Sequence, residues 1–321
     1  MKKLIALILA CALQPAQAQD ASKFPERAIR VVVPFAIGGP TDVMARLISA
    51  KMAENMGQQI VVENKLGAGG TIAATDVARS APDGYTLMFH NVSTAAINMH
   101  VYKKLAYDPV KDFQPISRLA DIPNVMIINK DIPARNLREF IAYAKANPGK
   151  LNYASSGNGT IFHLSGEMFK QMAGVQMTHV PYKGTSLAQV DLLSGTVAMM
   201  MDNIPGQVEN IRSGRVTGLG VTTGVRVPVL PDLPTLAEAG LPEFKNASWF
   251  SFFARGGTPR DVIAKLEAEA VRAVLDPIIT ARIRLLGAIP VASTADELDK
   301  FWKAEIEYWR PIVTRLNLQL D

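Results

Sequence analysis

The sequence has almost no cysteine. Cys11 is the only one in 321 residues, and it lies in an N-terminal apolar stretch expected to be removed. A chain without thiols forms no disulfide, uses no thiol nucleophile and offers no cysteine ligand to a metal. Histidine is scarce too. The four, His90, His100, His163 and His179, show none of the paired spacings of a zinc site, so no metal and no cofactor are expected. There is no P-loop and no dinucleotide fingerprint; Gly67-Ala68-Gly69-Gly70 imitates one weakly and reads as a turn. Beyond Ala18 no apolar run is long enough to cross a membrane as a helix. The net charge is +5, but the basic residues are scattered and no Lys/Arg run interleaves with aromatics. No nucleic-acid partner is expected, and the excess reads as a solvated surface with a mild preference for anions.

Hydrophobic residues make up 48% and charged residues 20%, which is globular, and the length fits about two domains. Lys2 and Lys3, the apolar run Leu4 to Leu13, and Ala16-Gln17-Ala18 form the three parts of a secretory signal peptide. It is expected to span residues 1–18, to be cleaved near Gln19 and to deliver the protein to the periplasm. A lipoprotein acylated at Cys11 is the competing reading; the residues before Cys11 fit that pattern less well than Ala-Gln-Ala fits its own.

Hydrophobic periodicity then alternates between two and 3.6. Strands are predicted at Ile29–Val33, Gln59–Glu63 and Tyr85–Phe89, with helices between them capped by Thr41 and Thr71. That order argues for a parallel sheet covered by helices. A second series follows: strands at Val125–Asn129, Met177–Pro181, Val197–Met201 and Val216–Thr222, with helices such as Leu137–Asn147 and Leu187–Ser194. Pro228 to Thr235 reads as a Pro-rich surface segment. Ser248 to Ala254 reads as a strand returning to the first domain. Helices close the chain at Asp261–Leu275, Pro277–Leu286 and Ala295–Thr314. The expected division is residues 24–122 plus 247–321 in one lobe and 123–246 in the other.

Two stretches carry the functional signal. Asn152 to Thr160 runs from a strand end through Ser155, Ser156, Gly157 and Gly159 into a helix at Ile161. Unpartnered N–H groups, the helix dipole and nearby hydroxyls make such a turn an anion site. Pro34 to Asp42, with Gly38-Gly39, is a second turn of that kind. The two can face one another across a cleft. His90, Asn91, Ser93 and Thr94 leave the carboxyl end of a strand, where open α/β sheets bind ligands.

Pro25-Glu26-Arg27, Val33 to Asp42, Val62-Glu63-Asn64 with Gly67 to Gly70, and Ala81 to Tyr85 together resemble the Bug/TctC family. Tyr153 to Thr160, His179 to Gly184 and Asp202-Asn203 extend the likeness over nearly the whole mature chain. These are periplasmic solute-binding proteins of tripartite tricarboxylate transporters. The resemblance implies a two-lobed α/β fold of the type II periplasmic-binding-protein (Venus-flytrap) kind, with two crossovers and a carboxylate held between the lobes. It assigns ligand contact to Phe35, Ile37, Gly38, Thr41 and Asp42 in one loop. In the other it assigns Ser155, Ser156, Gly159 and Thr160, with Asp202 and Asn203 at a strand end facing the cleft. His90, Asn91 and His163, one turn into the helix, complete the candidate set. The family often has Pro or Ala at the position of Ile37 and His at that of Ala95, so these departures are expected to make the pocket more apolar.

A carboxylate receptor, acting as a monomer and feeding membrane subunits, is therefore the leading reading. The same fold can serve an ABC transporter for another small anion or polar solute. A secreted hydrolase is the third reading, with Ser155 or Ser156 as nucleophile, His163 or His179 as base and Asp202 as orienting acid; it lacks the G-x-S-x-G elbow.

Overall fold

Ile29–Val33 (β1) is a near-continuous run of β-branched residues, the pattern of a strand covered on both faces. In the computed structural model, which describes residues 23–321, β1 lies inside the first of two sheets. The signal peptide, its cleavage site and Cys11 lie outside the described residues. The chain continues through α1 (Pro40–Met56), β2 (Ile60–Asn64), α2 (Thr71–Ala78) and β3 (Thr86–Asn91). A π-helical turn (Ser93–Ile97) and α3 (Asn98–Val101) then lead to β4 (Phe113–Ile122). The second series is β5 (Asn124–Asn129), α4 (Leu137–Ala146), β6 (Leu151–Ser155), α5 (Ile161–Ala173) and β7 (Met177–Pro181). It goes on with α6 (Thr185–Ser194), β8 (Met199–Asn203), α7 (Val208–Arg212) and β9 (Val216–Val221). β10 (Ser248–Arg255), α8 (Arg260–Leu275), α9 (Pro277–Leu285), β11 (Ile289–Pro290) and α10 (Ala295–Leu316) complete the chain.

The first sheet has the order β11-β4-β10-β3-β1-β2 and the second β7-β6-β8-β5-β9. The chain passes from one to the other at Pro123, between β4 and β5, and returns to β10 through residues 222–247. Both sheets are mixed rather than parallel. β2, β1 and β3 run parallel, but β10 is antiparallel to β3 and β4. β6 is parallel to β7 and β8, whereas β5 is antiparallel to β8 and β9. A strand entering from the other lobe need not keep the direction that a βαβ crossover imposes.

Alternation across the strands fills two sides. Phe250 and Phe252 of β10 pack with Met44, Ile48 and Leu266 beneath α1 and α8. Phe253 faces the opposite way, edge-on to Trp302 of α10. In β8, Met199 and Met201 enter one core and Met200 another.

Two local expectations fail, the helix caps and the Pro-rich segment. α1 and α2 have Gly39 and Gly70 at their N-caps, with no side-chain cap, so Thr41 and Thr71 lie inside the first turns. After β3 the backbone forms the π-helical turn, and Trp302 Nε1 donates to Ala95 O at 2.8 Å. The Pro-rich segment is not purely surface: Leu230 is buried in the second lobe's core. At the chain's end Leu320 bridges to Tyr102, and Asp321 pairs with Lys103 at 2.8 Å.

Candidate functional site

The first Gly-rich loop joins β1 to α1. Gly38 has φ +78°, a left-handed conformation that glycine adopts without a Cβ penalty. This turns its N–H onto Asp42 Oδ2 at 3.0 Å. Asp42 Oδ1 accepts from Arg46 Nε and from Asn64 Nδ2, both at 2.9 Å. Asn64 Nδ2 also donates to Phe35 O at 2.9 Å, tying the loop to β2. Burial pushes the Asp42 carboxyl up, but the bonds from Arg46, Gly38 and Asn64 outweigh it and hold it below its ordinary value. Asp42 is thus the internal brace of this loop. Asp42→Ala is expected to cost about 1.5–3 kcal/mol, the worth of charge-assisted hydrogen bonds, read from the urea midpoint at pH 7. Because the carboxyl is depressed, its contribution is present above the ordinary carboxylate range and is lost as pH falls through the folded value. The gap between variant and wild type should therefore narrow toward pH 3.

The second loop follows β6. Ser155 Oγ donates to Gly157 O at 3.0 Å or to His179 Nε2 at 2.7 Å, and accepts from Gly157 N–H at 3.1 Å. Thr160 Oγ1 donates to Gly157 O at 2.8 Å. Gly159 N–H donates to His163 Nδ1 at 3.1 Å, so that nitrogen carries no proton. The rings of His163 and His179 stack 3.8 Å apart with 8° between planes, and Tyr153 stacks on His179. Burial pushes His163 down to about 4, and burial with the neighbouring His163 pushes His179 down to about 3. Two neutral imidazoles therefore back the loop.

The loops of the two lobes meet. Ala36 N–H donates to Lys183 O at 3.1 Å, and Ser186 Oγ to Ile37 O at 3.2 Å. Ile161 N–H, an orphan donor at the start of α5, reaches across to Ser93 Oγ at 3.0 Å. Between them lies a small chamber that Phe35, Thr41, Asn91, Ser156 and Asn203 line, with Pro40, Phe162 and Thr185. No Lys or Arg lines it. Its free interior is about 10 Å³, roughly the space that admits one water. Phe35 and Ser156 also line an adjoining vestibule of about 420 Å³, walled by Gly67 to Gly70, Tyr102, Tyr182, Lys183 and Leu320. A groove of about 670 Å³ between α1 and α9 is larger, but it mixes aliphatic and charged walls, reaches the first loop only at Asp42 and includes no residue of the second loop.

The remaining candidates stand elsewhere. Ile37 is 69% exposed and points outward, and Ala95 lies beneath Trp302. Neither makes the chamber more apolar, contrary to expectation. Gly38 N–H, the Asp42 carboxylate, Ser155 Oγ, Gly159 N–H, Thr160 Oγ1 and His163 Nδ1 all bond to partners within their own lobes. His90 is buried between Phe113 and Phe253, its Nδ1 2.9 Å from Thr94 Oγ1, and burial alone pushes it down to about 3. Asp202 is buried beside Gln207 and Asn203. Pro40, Phe162 and Thr185 were missed, although Pro40 lies inside the first quoted loop, Phe162 two residues past Thr160 and Thr185 next to Gly184. The Ser155–His179 contact has the separation of a nucleophile and base, but the hydroxyl is fully buried and Asp202 orients neither histidine. Among the described residues no cluster of metal-ligating side chains occurs.

Two mixed α/β sheets with paired crossings and a closed chamber between facing loops define the periplasmic-binding-protein class. The chain belongs to the tripartite tricarboxylate transporter family receptor (TctC) family, whose model matches residues 44–318. It is 35% identical to protein BugT of Bordetella pertussis over 302 residues, 94% of this chain and 93% of BugT. It is similar to MatC of Rhodopseudomonas palustris with bound malate: 41% identity, TM-score 0.87, covering 90% of this chain and 100% of that one. A second R. palustris structure, with adipate, gives 37% identity and a TM-score of 0.89 over 92% of this chain and 99% of that one. The family is one of receptors, not of enzymes.

Proposed function

We propose that this chain is a periplasmic receptor that encloses a small carboxylate between its lobes and hands it to the membrane subunits of a tripartite transporter. The moving bodies are residues 24–122 plus 247–321 and residues 123–246. The observation that supports this most is the chamber itself, built by loops of two separate sheets against the N-terminus of α1.

One carboxylate enters at the chamber, the loops parting to make room for it, against the first turn of α1 and the hydroxyl and amide groups of Thr41, Ser156, Asn91 and Asn203. The rest of the solute extends past Phe35 into the vestibule, where Lys183 and Tyr182 stand at the rim. A charge-assisted hydrogen bond contributes roughly 1.5–3 kcal/mol and a helix N-terminus about 0.3–1 kcal/mol. Four such hydrogen bonds total about 6–12 kcal/mol, a range that brackets the ~8 kcal/mol of a micromolar complex before ordering costs. No full positive charge is needed.

Calorimetric titration of malate, adipate and citrate tests this. At about 100-fold excess over Kd the bound acid should stabilise the protein by about 2.7 kcal/mol. No heat and no rise in melting temperature with any mono-, di- or tricarboxylate would overturn the reading. Ser156→Ala is expected to weaken binding about tenfold, the loss of one hydrogen bond to a charged group, with the unliganded melting curve unchanged. Uptake in vesicles holding the membrane subunits checks the partnership.

A further inference from the structure

Asp202 is the next-to-last residue of β8, with its carboxyl at the seam between the lobes. It is 1% exposed. Oδ1 accepts from Asn203 N–H at 2.8 Å and Oδ2 from Gln207 Nε2 at 2.6 Å. The hydroxyl of Thr185, a wall of the chamber, bonds to it as well. A side chain at Gly206 would lie 2.9 Å from Asp202 Oδ2 and 3.1 Å from Pro40 Cγ. The acid is therefore one glycine backbone away from the start of α1.

Among the described residues no cation answers it. On the loop before α6, Lys183 is exposed. On α7, Glu209 and Arg212 face one another at 3.5 Å. On α1, Asp42 and Arg46 are paired at 2.9 Å. β5 presents Asn124 and Val125, which are uncharged. An ionised Asp202 would be a buried, unpaired charge beside a chamber meant for another carboxylate, and both conditions disfavour ionisation.

We propose that Asp202 is a positioning residue that enclosure between the lobes makes easier to protonate, so that capture of an anion in mildly acid solution takes up a proton. This rests on the carboxylate reading of the chamber. Burial pushes the enclosed carboxyl up to about 6, against the bonds from Gln207, Thr185 and Asn203. With the lobes apart, water reaches this side and an ordinary carboxyl titrates near 4. A carboxyl raised on closure favours the closed form below its ordinary value, and that contribution is lost as pH rises through about 6.

The test is calorimetry of malate, and of adipate in parallel, in two buffers of different ionisation enthalpy. At pH 6 the wild type should take up about half a proton per anion, and affinity should rise roughly tenfold from pH 7 to pH 5. Both effects are counted net of the acid's own titration. Asp202→Asn should bind at pH 7 but take up no proton and show only the acid's own pH profile. If that variant does not fold, the proton count on the wild type decides alone. Binding without proton uptake at pH 6 would overturn the proposal. No heat with either acid at any pH would instead overturn the carboxylate reading.

Discussion

Gly184→Ala is expected to weaken carboxylate binding about 100-fold, equivalent to ~2.7 kcal/mol, while both lobes stay folded. Gly184 precedes α6 with φ +138°, ψ 156°, backbone that other residues enter only under strain. A Cβ there would lie 2.9 Å from Ala36 N and 3.0 Å from Ala36 Cβ, both on the opposite lobe. Ala36 N–H is the donor that meets Lys183 O on closure. The added carbon can be accommodated only by parting the loops, so the cost falls on closing. Calorimetry and small-angle scattering check this together: weak binding with a dimension that no longer shrinks on adding acid. Unchanged affinity would show that the loops need not meet this closely.

Asn124→Ala should be strongly destabilising, at about 2–6 kcal/mol. Asn124 is the first residue after the crossing at Pro123. Its Oδ1 accepts from Asn203 Nδ2 at 2.6 Å and its Nδ2 donates to Asn246 Oδ1 at 3.1 Å. Asn246 stands on the other crossing, and its Nδ2 reaches Ser165 Oγ at 3.0 Å. Truncation strands two buried partners, each costing about 1–3 kcal/mol when unpaired. The urea midpoint should fall at unchanged slope. Affinity should fall as well, because Asn203 lines the chamber and loses its anchor. A midpoint shift below 1 kcal/mol would mean that water replaces the amide.

The two Gly-rich loops were legible because their chemistry is local: a strand end, a turn of small residues and a helix start. The strands and long helices were legible from periodicity. Direction was legible for β1, β2 and β3, which run parallel, but not for the antiparallel strands, because β10 finds its neighbours β3 and β4 across more than a hundred residues of sequence. Within the site, residue type did not reveal which groups face inward. Asp42 and His163 have the right chemistry for a ligand, yet loop geometry consumes their polar atoms. Pro40, Phe162 and Thr185 carry no polar signature as strong, and only the approach of the lobes makes them walls. The stacked His163 and His179 come from α5 and β7, and no spacing announces such a pair.

Leu320 and Asp321 stand in the wall of the vestibule. On the proposed reading the solute passes this wall, so a purification handle attached at Asp321 would start beside its path. Affinities measured with such a handle would report steric shielding along with recognition, so the handle should be cut away before any titration.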